Sequence, residues 1–318
     1  MEHPRTLQEA IIFFADKDNA FNYFVSRRWP NGVICPNCGR TDVVFLANQK
    51  KWQCKSTHPK RQFTAKVGTI FEDSPLGLDK WLMVVWMIIN CKNGISSYEV
   101  HRHIGVTQKT AWFMVHRIRL AMTTGTFEKL SGTVEADETY IGGDAKNMHK
   151  DKRERFKMKG GRRDHKTGVL GMLERKGRVR AKVVNAARGI DLIPVVRNTV
   201  EEGSELFTDS LQAYDLLNTD YIHEAVNHSV EYVRGHIHTN GIENFWSLLK
   251  RTIKGTYVSV DAYHLQKYVE EQVFRYNERK GTDAQRFSKI TGQMAGKRLT
   301  YADLTGKTPS AYKLSKAH

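Results

Sequence analysis

The spacing of apolar residues predicts that the first third of the chain is mainly helical. Thr6 and Glu9 stand at the positions of a helix-capping box ahead of an apolar run at residues 10–14, and a second helix is predicted over residues 19–27. A third helix is predicted over residues 80–90, where apolar side chains recur every three or four positions. Alternating segments predict the strands of a small sheet at residues 43–46, 51–54, 62–65 and 69–71.

Two more helices separated by a glycine turn predict a helix-turn-helix. The short helix covers residues 96–104, Gly105 begins the turn, and the longer helix covers residues 107–120 with Thr107 as its N-cap. A helical hairpin that only packs the core is the alternative interpretation. In a helix-turn-helix the second helix enters the major groove with its N-terminal residues. The candidates for base contact are therefore Gln108, Lys109 and Thr110, and those for phosphate contact are His116, Arg117 and Arg119.

The rest of the chain alternates strands with helices, which is typical of an α/β domain with a mixed sheet. The predicted strands are at residues 133–141, 168–174, 179–185, 204–210 and 221–228, and the predicted helices are at residues 192–200, 214–217, 240–254 and 262–276. The last part, from Gly281, is polar with scattered apolar residues and is predicted to be a C-terminal tail.

The net charge of the chain indicates what kind of partner it binds. The 318 residues include 50 Lys and Arg against 34 Asp and Glu, which gives a formal charge of +16. Such an excess favours binding to a polyanion, and nucleic acid is the first candidate. Ten of the cations lie in residues 146–166, which are predicted to form a mobile basic loop. No secretory signal is recognised, and the longest apolar run, residues 81–89, is too short to span a bilayer, so we expect a soluble cytoplasmic protein without membrane contact.

The cysteines predict a metal site. Three of the four cluster near the N-terminus, as expected for metal binding in a reducing compartment. Cys35 and Cys38 form a knuckle, Cys54 supplies a third thiolate, and His58 is the nearest neutral nitrogen donor. The spacing predicts a closed, structural Cys3His zinc ribbon. Three reduced cysteines beside a histidine that binds no metal are the alternative, whereas Cys91 is expected to be a buried apolar residue.

Carboxylates in the α/β part indicate a second kind of metal site. Asp137 lies on the first predicted strand, Asp209 ends a later one, and Glu243 begins a helix. By strand alternation Glu135 shares a face with Asp137, whereas Glu138 points the other way. Three acids from separate elements can converge beside a sheet and hold two Mg²⁺ or Mn²⁺ ions, about 3.5–4 Å apart, for phosphoryl transfer.

Basic and aromatic residues follow Glu243 on the same predicted helix. Lys250 and Arg251 lie about two turns after it, where they would contact a phosphate backbone. Trp246 is interpreted as a core anchor in preference to a base-stacking residue, and His236 and His238 as loop residues that support the site. An ordinary amphipathic helix with a solvated charged face is the alternative for this segment alone.

The acidic motifs together resemble those of a known family. Asp137 lies in Val-Glu-Ala-Asp-Glu-Thr-Tyr-Ile-Gly-Gly, Asp209 in Phe-Thr-Asp-Ser, and Glu243 in His-Thr-Asn-Gly-Ile-Glu-Asn-Phe-Trp-Ser-Leu-Leu-Lys-Arg. They look like the acidic triad of the DDE transposases of bacterial insertion sequences, in the subgroup with an N-terminal zinc ribbon and an RNase H-like catalytic domain. Thirty-three residues separate Asp209 from Glu243 and Lys250 falls seven after Glu243, both similar to that family's pattern, and the resemblance covers residues 29–276.

The resemblance implies cleavage and joining of DNA strands, recognition of terminal inverted repeats, and self-association on DNA. The domains it implies are the N-terminal helices and zinc ribbon (1–75), the helix-turn-helix (76–125), the RNase H-like catalytic domain (126–280) and a C-terminal tail (281–318). The chain departs from the family in two places. The ribbon's usual fourth cysteine is absent, which places its role on His58, and Asn240 is an alternative or additional third ligand beside Glu243.

Two other functions remain open at this point. A zinc-ribbon DNA-binding regulator with an inactive catalytic domain would bind DNA without needing the acids. A nuclease of the same fold would use the metals but would not join strands. The full set of acids argues against the regulator, and the pairing of end-binding modules with a catalytic domain favours the transposase.

Overall fold

The computed structural model describes residues 4–123, 128–143, 150–151, 154, 166–185, 188–209, 212–226 and 238–307. They form two compact units, one of residues 1–123 with 280–318 and the other of residues 124–279. Within the described ranges, no helix is both long enough and apolar enough to cross a membrane. The segment predicted as a basic loop, residues 146–166, lies almost entirely outside these ranges, as does His236.

The first unit begins with two helices, a small antiparallel sheet and three further helices. These are α1 (Leu7–Ala15), α2 (Lys17–Arg28), β1 (Val43–Leu46), β2 (Lys51–Cys54), β3 (Gln62–Thr64), α3 (Leu78–Asn90), α4 (Ser97–Ile104) and α5 (Gln108–Met122). The predicted strand at residues 69–71 is wrong, because these residues form turns in which only Thr69 makes a β-bridge, to Ala295.

Helices α4 and α5 lie close to the residues at which the sequence predicted them. Ser96 and Glu99 form a capping box at the start of α4, and Gly105 ends the helix in the left-handed conformation, at φ 63°. Thr107 then caps α5 by accepting a hydrogen bond from the N–H of Thr110. Both helix ends are thus set by local side chains, which is why the sequence pattern located them correctly.

The second unit is built on a five-stranded mixed sheet. Its strands are β4 (Thr133–Ile141), β5 (Thr167–Glu174), β6 (Val179–Val184), β7 (Glu205–Asp209) and β8 (Ile222–Val226), and its helices are α6 (Gly189–Thr199), α7 (Asn240–Thr252) and α8 (Ala262–Asn277). The order across the sheet is β6-β5-β4-β7-β8. Strand β5 is antiparallel to both of its neighbours, β6 and β4, whereas β7 is parallel to both β4 and β8.

Two apolar cores cover the two faces of this sheet. One face packs against α6 and a 3-10 turn at Gln212–Leu217, and the other packs against α7 and α8. Helix α7 contributes Phe245, Trp246 and Leu249 to the second core, which agrees with the apolar periodicity of its sequence. Burial of side chains of this size contributes about 1.5–3 kcal/mol each, so the position of α7 on the sheet is strongly determined.

The segment predicted as a C-terminal tail includes helices. It contains α9 (Asp283–Gly292) and α10 (Tyr301–Leu304), and both belong to the first unit. Phe287 of α9 lies 5.4 Å from Phe14 and 4.9 Å from Trp86, measured between ring centroids. The missed signal was the Thr282–Gln285 capping box that begins α9.

Candidate functional site

A cysteine knuckle opens the metal site of the first unit. The Cys35 N–H donates to the Arg40 carbonyl at 2.9 Å, and the Gly39 N–H donates to the Cys35 carbonyl at 2.8 Å. Gly39 has φ +72°, a conformation that glycine adopts without steric cost. The tight turn brings Cys35 and Cys38 to the end of the sheet that carries Cys54.

The four predicted zinc ligands converge at this turn. The ligand atoms of Cys35, Cys38, Cys54 and His58 all lie within 4.8 Å of one another. Cys35 Sγ is 3.5 Å from His58 Nε2, and Cys38 Sγ is 3.7 Å from Cys54 Sγ. A tetrahedron with Zn–S bonds of about 2.3 Å has edges of about 3.8 Å, so these spacings fit one zinc ion.

Hydrogen bonds prepare the donors for a cation. His58 Nδ1–H donates to the Pro59 carbonyl at 2.7 Å, which orients the imidazole ring so that Nε2 lies towards Cys35. Burial raises the pKa of Cys54, but hydrogen bonds from His58 and Ser56 outweigh it and lower that pKa to about 6. Cys54 is therefore a ready thiolate, and the cluster supports a structural zinc ion with His58 in place of a fourth cysteine. Cys91 lies outside the cluster and is exposed, so its predicted burial is wrong.

The predicted DNA-contacting residues of α5 divide into two groups. Lys109 is exposed and lies 4.9 Å from the ring centroid of Tyr301. Gln108 and Thr110 are partly buried, and the Gln108 amide donates to Ser97 Oγ at 2.9 Å. These three residues remain candidates for DNA contact at the start of the helix.

Arg117 is not available for the predicted phosphate contact. It is only 5% exposed, and its guanidinium donates to the carbonyls of Ile70, Glu72 and Leu299 at 2.8–3.1 Å. His116 and Arg119 are also buried, so the same correction applies to them. The reason is tertiary: these side chains face the core of the first unit, where backbone carbonyls, and not phosphates, accept from Arg117.

The three predicted catalytic acids are brought together in the second unit. Asp137 lies in β4, Asp209 ends the neighbouring parallel strand β7, and Glu243 lies in the first turn of α7. The β4–β7 register pairs Glu135 with Phe207, and continuing it by two residues places Asp137 opposite Asp209. All three carboxylates are partly buried.

The electrostatics of these acids reflect their proximity. Burial, together with the charges of Asp209 and Glu243, raises the pKa of Asp137 to about 6, although the hydrogen bond from Trp246 lowers it. The Trp246 indole N–H donates to Asp137 Oδ2 at 2.9 Å, and the Thr239 hydroxyl donates to Glu243 Oε1 at 3.4 Å. Like charges held together in this way favour a cation, and carboxylate oxygens suit Mg²⁺ or Mn²⁺.

Glu138 faces the opposite side of the sheet, as strand alternation predicted. It accepts a hydrogen bond from Tyr214 at 2.7 Å, and Tyr214 belongs to the core against α6. The pKa of Glu138 is raised to about 7, mainly by burial and also by the charges of Asp209 and Asp137, although the Tyr214 hydrogen bond lowers it. Glu138 is thus a close neighbour of the acid cluster with a partner of its own.

Two features of the site were not predicted. Trp246 is a core residue as expected, 4% exposed, but its indole N–H also holds Asp137. Glu135 is buried and binds Arg175 and the start of α7. Strand alternation placed Glu135 beside Asp137, whereas no local pattern identifies Arg175 as its partner, because 40 residues separate the two.

The basic residues after Glu243 are exposed. Lys250 and Arg251 lie in the last turn of α7, with Lys254 close behind in a π-helical turn at Ile253–Tyr257. Together with Asn244 and Ser247 they give α7 a polar outer surface that begins at the acid cluster. This surface is suited to a nucleic-acid backbone.

The mixed sheet, with its order β6-β5-β4-β7-β8 and with helices on both faces, is that of an RNase H-like fold, which is found in nucleic-acid-processing enzymes. The profile of the ISXO2-like transposase domain matches residues 129–277, and that of the transposase zinc-ribbon domain matches residues 15–58. The chain therefore belongs to the family of transposases with an ISXO2-like transposase domain, and this membership implies that it binds DNA.

Two relatives agree with this membership. An uncharacterized protein in the transposable element ISH50 of Halobacterium salinarum is 29% identical over 250 residues, which cover 75% of this chain and 83% of the relative. An uncharacterized transposase-like protein of Haemophilus influenzae is 31% identical over 103 residues, 32% of this chain and 83% of the relative.

Proposed function

We propose that the protein cleaves DNA at the ends of an insertion sequence and joins those ends to a target, with Asp137, Asp209 and Glu243 as the catalytic acids. The observation that carries this proposal is the convergence of three carboxylates from β4, β7 and α7, whose repulsion contributes to the raised pKa of Asp137. A set made only of carboxylate oxygens fits Mg²⁺ or Mn²⁺ and does not favour zinc.

The residues around the acids have separate roles in this mechanism. Asp137, Asp209 and Glu243 would hold two Mg²⁺ ions, which would supply Lewis-acid activation of the attacking water or 3′-hydroxyl and charge stabilisation of the leaving oxygen. Trp246 orients the Asp137 carboxylate, and Thr239 orients that of Glu243. Lys250 and Arg251 hold the phosphate backbone in line for attack.

Glu243 is the third ligand in this proposal, in preference to Asn240. Asn240 is exposed at the first residue of α7, whereas Glu243 is partly buried. The charge of Glu243 also raises the pKa of Asp137, which supports its proximity. A carboxylate binds Mg²⁺ more strongly than an amide because it carries the negative charge.

Sequence recognition is proposed for the first unit. The zinc ribbon and the α4–α5 pair bind the terminal inverted repeats, with Gln108, Lys109 and Thr110 at the DNA. Because a transposition event joins two element ends, we propose that the protein self-associates when it is bound to DNA.

A strand-transfer assay tests this function. The substrate carries the flanking inverted repeats, Mg²⁺ is supplied, and wild type is compared with Asp209→Asn, Glu243→Gln and Asn240→Ala. We expect joined products from wild type and from Asn240→Ala, and no joined products from Asp209→Asn or Glu243→Gln. Glu138→Gln is the matched control, since this neighbouring acid faces Tyr214 and its variant is expected to remain active.

Three outcomes would redirect the proposal. Activity in Glu243→Gln with loss in Asn240→Ala moves the third ligand to Asn240. Cleavage without joining identifies a nuclease of the same fold. End binding by wild type without cleavage, at any Mg²⁺ or Mn²⁺ concentration, identifies a DNA-binding regulator.

A further inference from the structure

An ion pair with a buried carboxylate lies beside the acid cluster. Glu135 stands two residues before Asp137 in β4, and it bonds to Ile242, the residue before Glu243. Glu135 is 1% exposed, and its Oε1 accepts from Arg175 Nε at 2.9 Å. Its Oε2 accepts from the backbone N–H of Ile242 at 3.0 Å. Arg175 in turn donates from its other nitrogen to the His238 carbonyl at 2.9 Å. We call this set (Glu135, Arg175 and the backbone of His238 and Ile242) the Glu135 clamp.

The clamp replaces a missing helix cap. Thr239 occupies the N-cap position of α7, but its side chain makes no capping hydrogen bond, and its hydroxyl donates to Glu243. The N–H groups of the first helical turn need acceptors from outside the helix. Glu135 supplies one from strand β4, with a negative charge at the positive end of the helix dipole.

The fit around the clamp is close. A Cβ on Gly241 would lie 2.7 Å from Glu135 Oε2 and 2.6 Å from Leu173 Cδ2, closer than a side chain can approach. Arg175 also lies 4.8 Å from the ring centroid of Phe207 in β7. The clamp therefore contacts β4, β7 and α7, the three elements that carry Asp137, Asp209 and Glu243.

We propose that the Glu135 clamp positions the third catalytic acid, by fixing the start of α7 so that Glu243 stays at the distance from Asp137 that divalent-cation binding requires. Glu135 and Arg175 are positioning residues and do not touch the substrate. The inference rests on the function proposed above. A merely structural role would lower the stability of the fold without changing the metal concentration at which the site fills.

The chain offers a matched control for the loss of a buried ion pair. Glu271 and Arg275 of α8 form a second buried pair in the same unit, with exposures of 0% and 8%, and Tyr257 donates to the same carboxylate. Glu271→Gln removes one buried negative charge, as Glu135→Gln does. The Glu271 carboxylate accepts from Arg275 and Tyr257, which lie outside the three elements that carry the proposed catalytic acids.

The experiment measures metal binding without DNA and then cleavage with DNA, on the full chain. The first readout is the Mn²⁺ concentration that produces half of the maximal rise in Tm. The second is the Mg²⁺ concentration for half-maximal cleavage. We expect Glu135→Gln to raise both by about 10- to 100-fold, the range for groups that orient metal ligands, and to leave DNA affinity unchanged. Glu271→Gln is expected to lower Tm while both concentrations stay at the wild-type values.

Arg175→Lys keeps the inference testable if Glu135→Gln does not fold. Lysine keeps the charge but lacks the planar fork that reaches both Glu135 and the His238 carbonyl, so a smaller rise in both concentrations is expected. Wild-type metal requirements in a folded Glu135→Gln or Arg175→Lys protein would overturn the clamp and leave the proposed function standing. A wild-type protein with neither a Mn²⁺-dependent Tm rise nor cleavage would overturn both.

Discussion

The zinc-ribbon cluster and the acid cluster both bring metal-binding side chains together, but by opposite physical means. The ribbon cluster is local: its donors lie within 24 residues, a knuckle holds two of them, and His58 is oriented by the next residue's carbonyl. The acid cluster takes residues 137, 209 and 243 from three elements, and a sheet must form before they meet.

The two clusters also differ in how their surroundings affect the ionisation of the metal-binding side chains. In the ribbon cluster, hydrogen bonds lower the pKa of Cys54 and so favour the form that binds metal. In the acid cluster, burial and neighbouring carboxylates raise the pKa of Asp137, so the metal-free site opposes its own ionisation. The ribbon cluster is therefore suited to a zinc ion that stays bound, because its donors already favour the metal-binding form. In the acid cluster, the repulsion between the carboxylates is an electrostatic cost that a bound cation would reduce.

The largest expected effect comes from breaking the ribbon cluster. Cys54→Ser should remove bound zinc and unfold the ribbon, since structural zinc contributes on the order of 10 kcal/mol in zinc-finger peptides. Zinc content by elemental mass spectrometry and limited proteolysis measure the change. His58→Cys should keep the metal, and Cys91→Ser, outside the cluster, should match wild type. One equivalent of zinc retained in Cys54→Ser would contradict the ligand assignment.

The second-largest effect concerns the stability that the folded protein loses by keeping Asp137 ionised within the acid cluster. In the unfolded chain Asp137 ionises near 3.8, and in the folded chain near 6, so stability falls as pH rises between these values. Asp137→Asn removes this cost and should be more stable than wild type at pH 7.5 without divalent ions, by up to about 3 kcal/mol.

Denaturant unfolding across pH 4–8 measures that difference. It should shrink as pH falls through about 6, and added Mn²⁺ should stabilise wild type but not the variant. A variant that is less stable than wild type at pH 7.5 would show that the carboxylate contributes more through Trp246 than it costs through repulsion.

A smaller effect concerns the packing that connects α7 to the acids. A Cβ on Gly171 would lie 2.6 Å from the Trp246 ring and 2.8 Å from Ile242 Cδ1. Gly171→Ala should cost about 1–3 kcal/mol by overpacking and should weaken the Trp246–Asp137 hydrogen bond. Urea unfolding measures the cost. Gly143→Ala, where a Cβ meets nothing within 4 Å, is the control and should stay close to wild type.

The smallest effect lies on the exposed surface of α7. Lys250→Ala and Arg251→Ala should each reduce the slope of log affinity against log salt by about 0.9 without changing stability. Fluorescence anisotropy with labelled duplex DNA over a salt series gives the slope. Lys176→Ala, at the exposed turn between β5 and β6, should leave it unchanged. An unaltered slope in both α7 variants would place the DNA elsewhere.

Local patterns predicted much of this molecule. Apolar periodicity located most helices, strand alternation separated Glu135 and Asp137 from Glu138, and cysteine spacing identified the ribbon cluster. These features depend on residues that are close together in the chain, where the spacing along a helix or strand determines the direction in which each side chain points. The predictions failed where distant partners decide the outcome: the Arg117 side chain turned inward to the carbonyls of Ile70 and Leu299, and residues 69–71 formed turns that bond to residues 294–295. Helix α9 was missed for a different reason, since its capping box is a local signal that was overlooked.

The sequence by itself determined which side chains are present for the proposed chemistry: the zinc donors, the three acids and the basic residues that follow the third. Only the tertiary structure decided how the acids are held. Glu135 caps α7 across 107 residues, and Trp246 reaches Asp137 across 109. The sequence shows which residues carry a charge or an N–H group, but the packing of helices and strands decides which group each of them bonds to. The reason is that a buried polar group needs a hydrogen-bond partner, and only the folded chain brings that partner close.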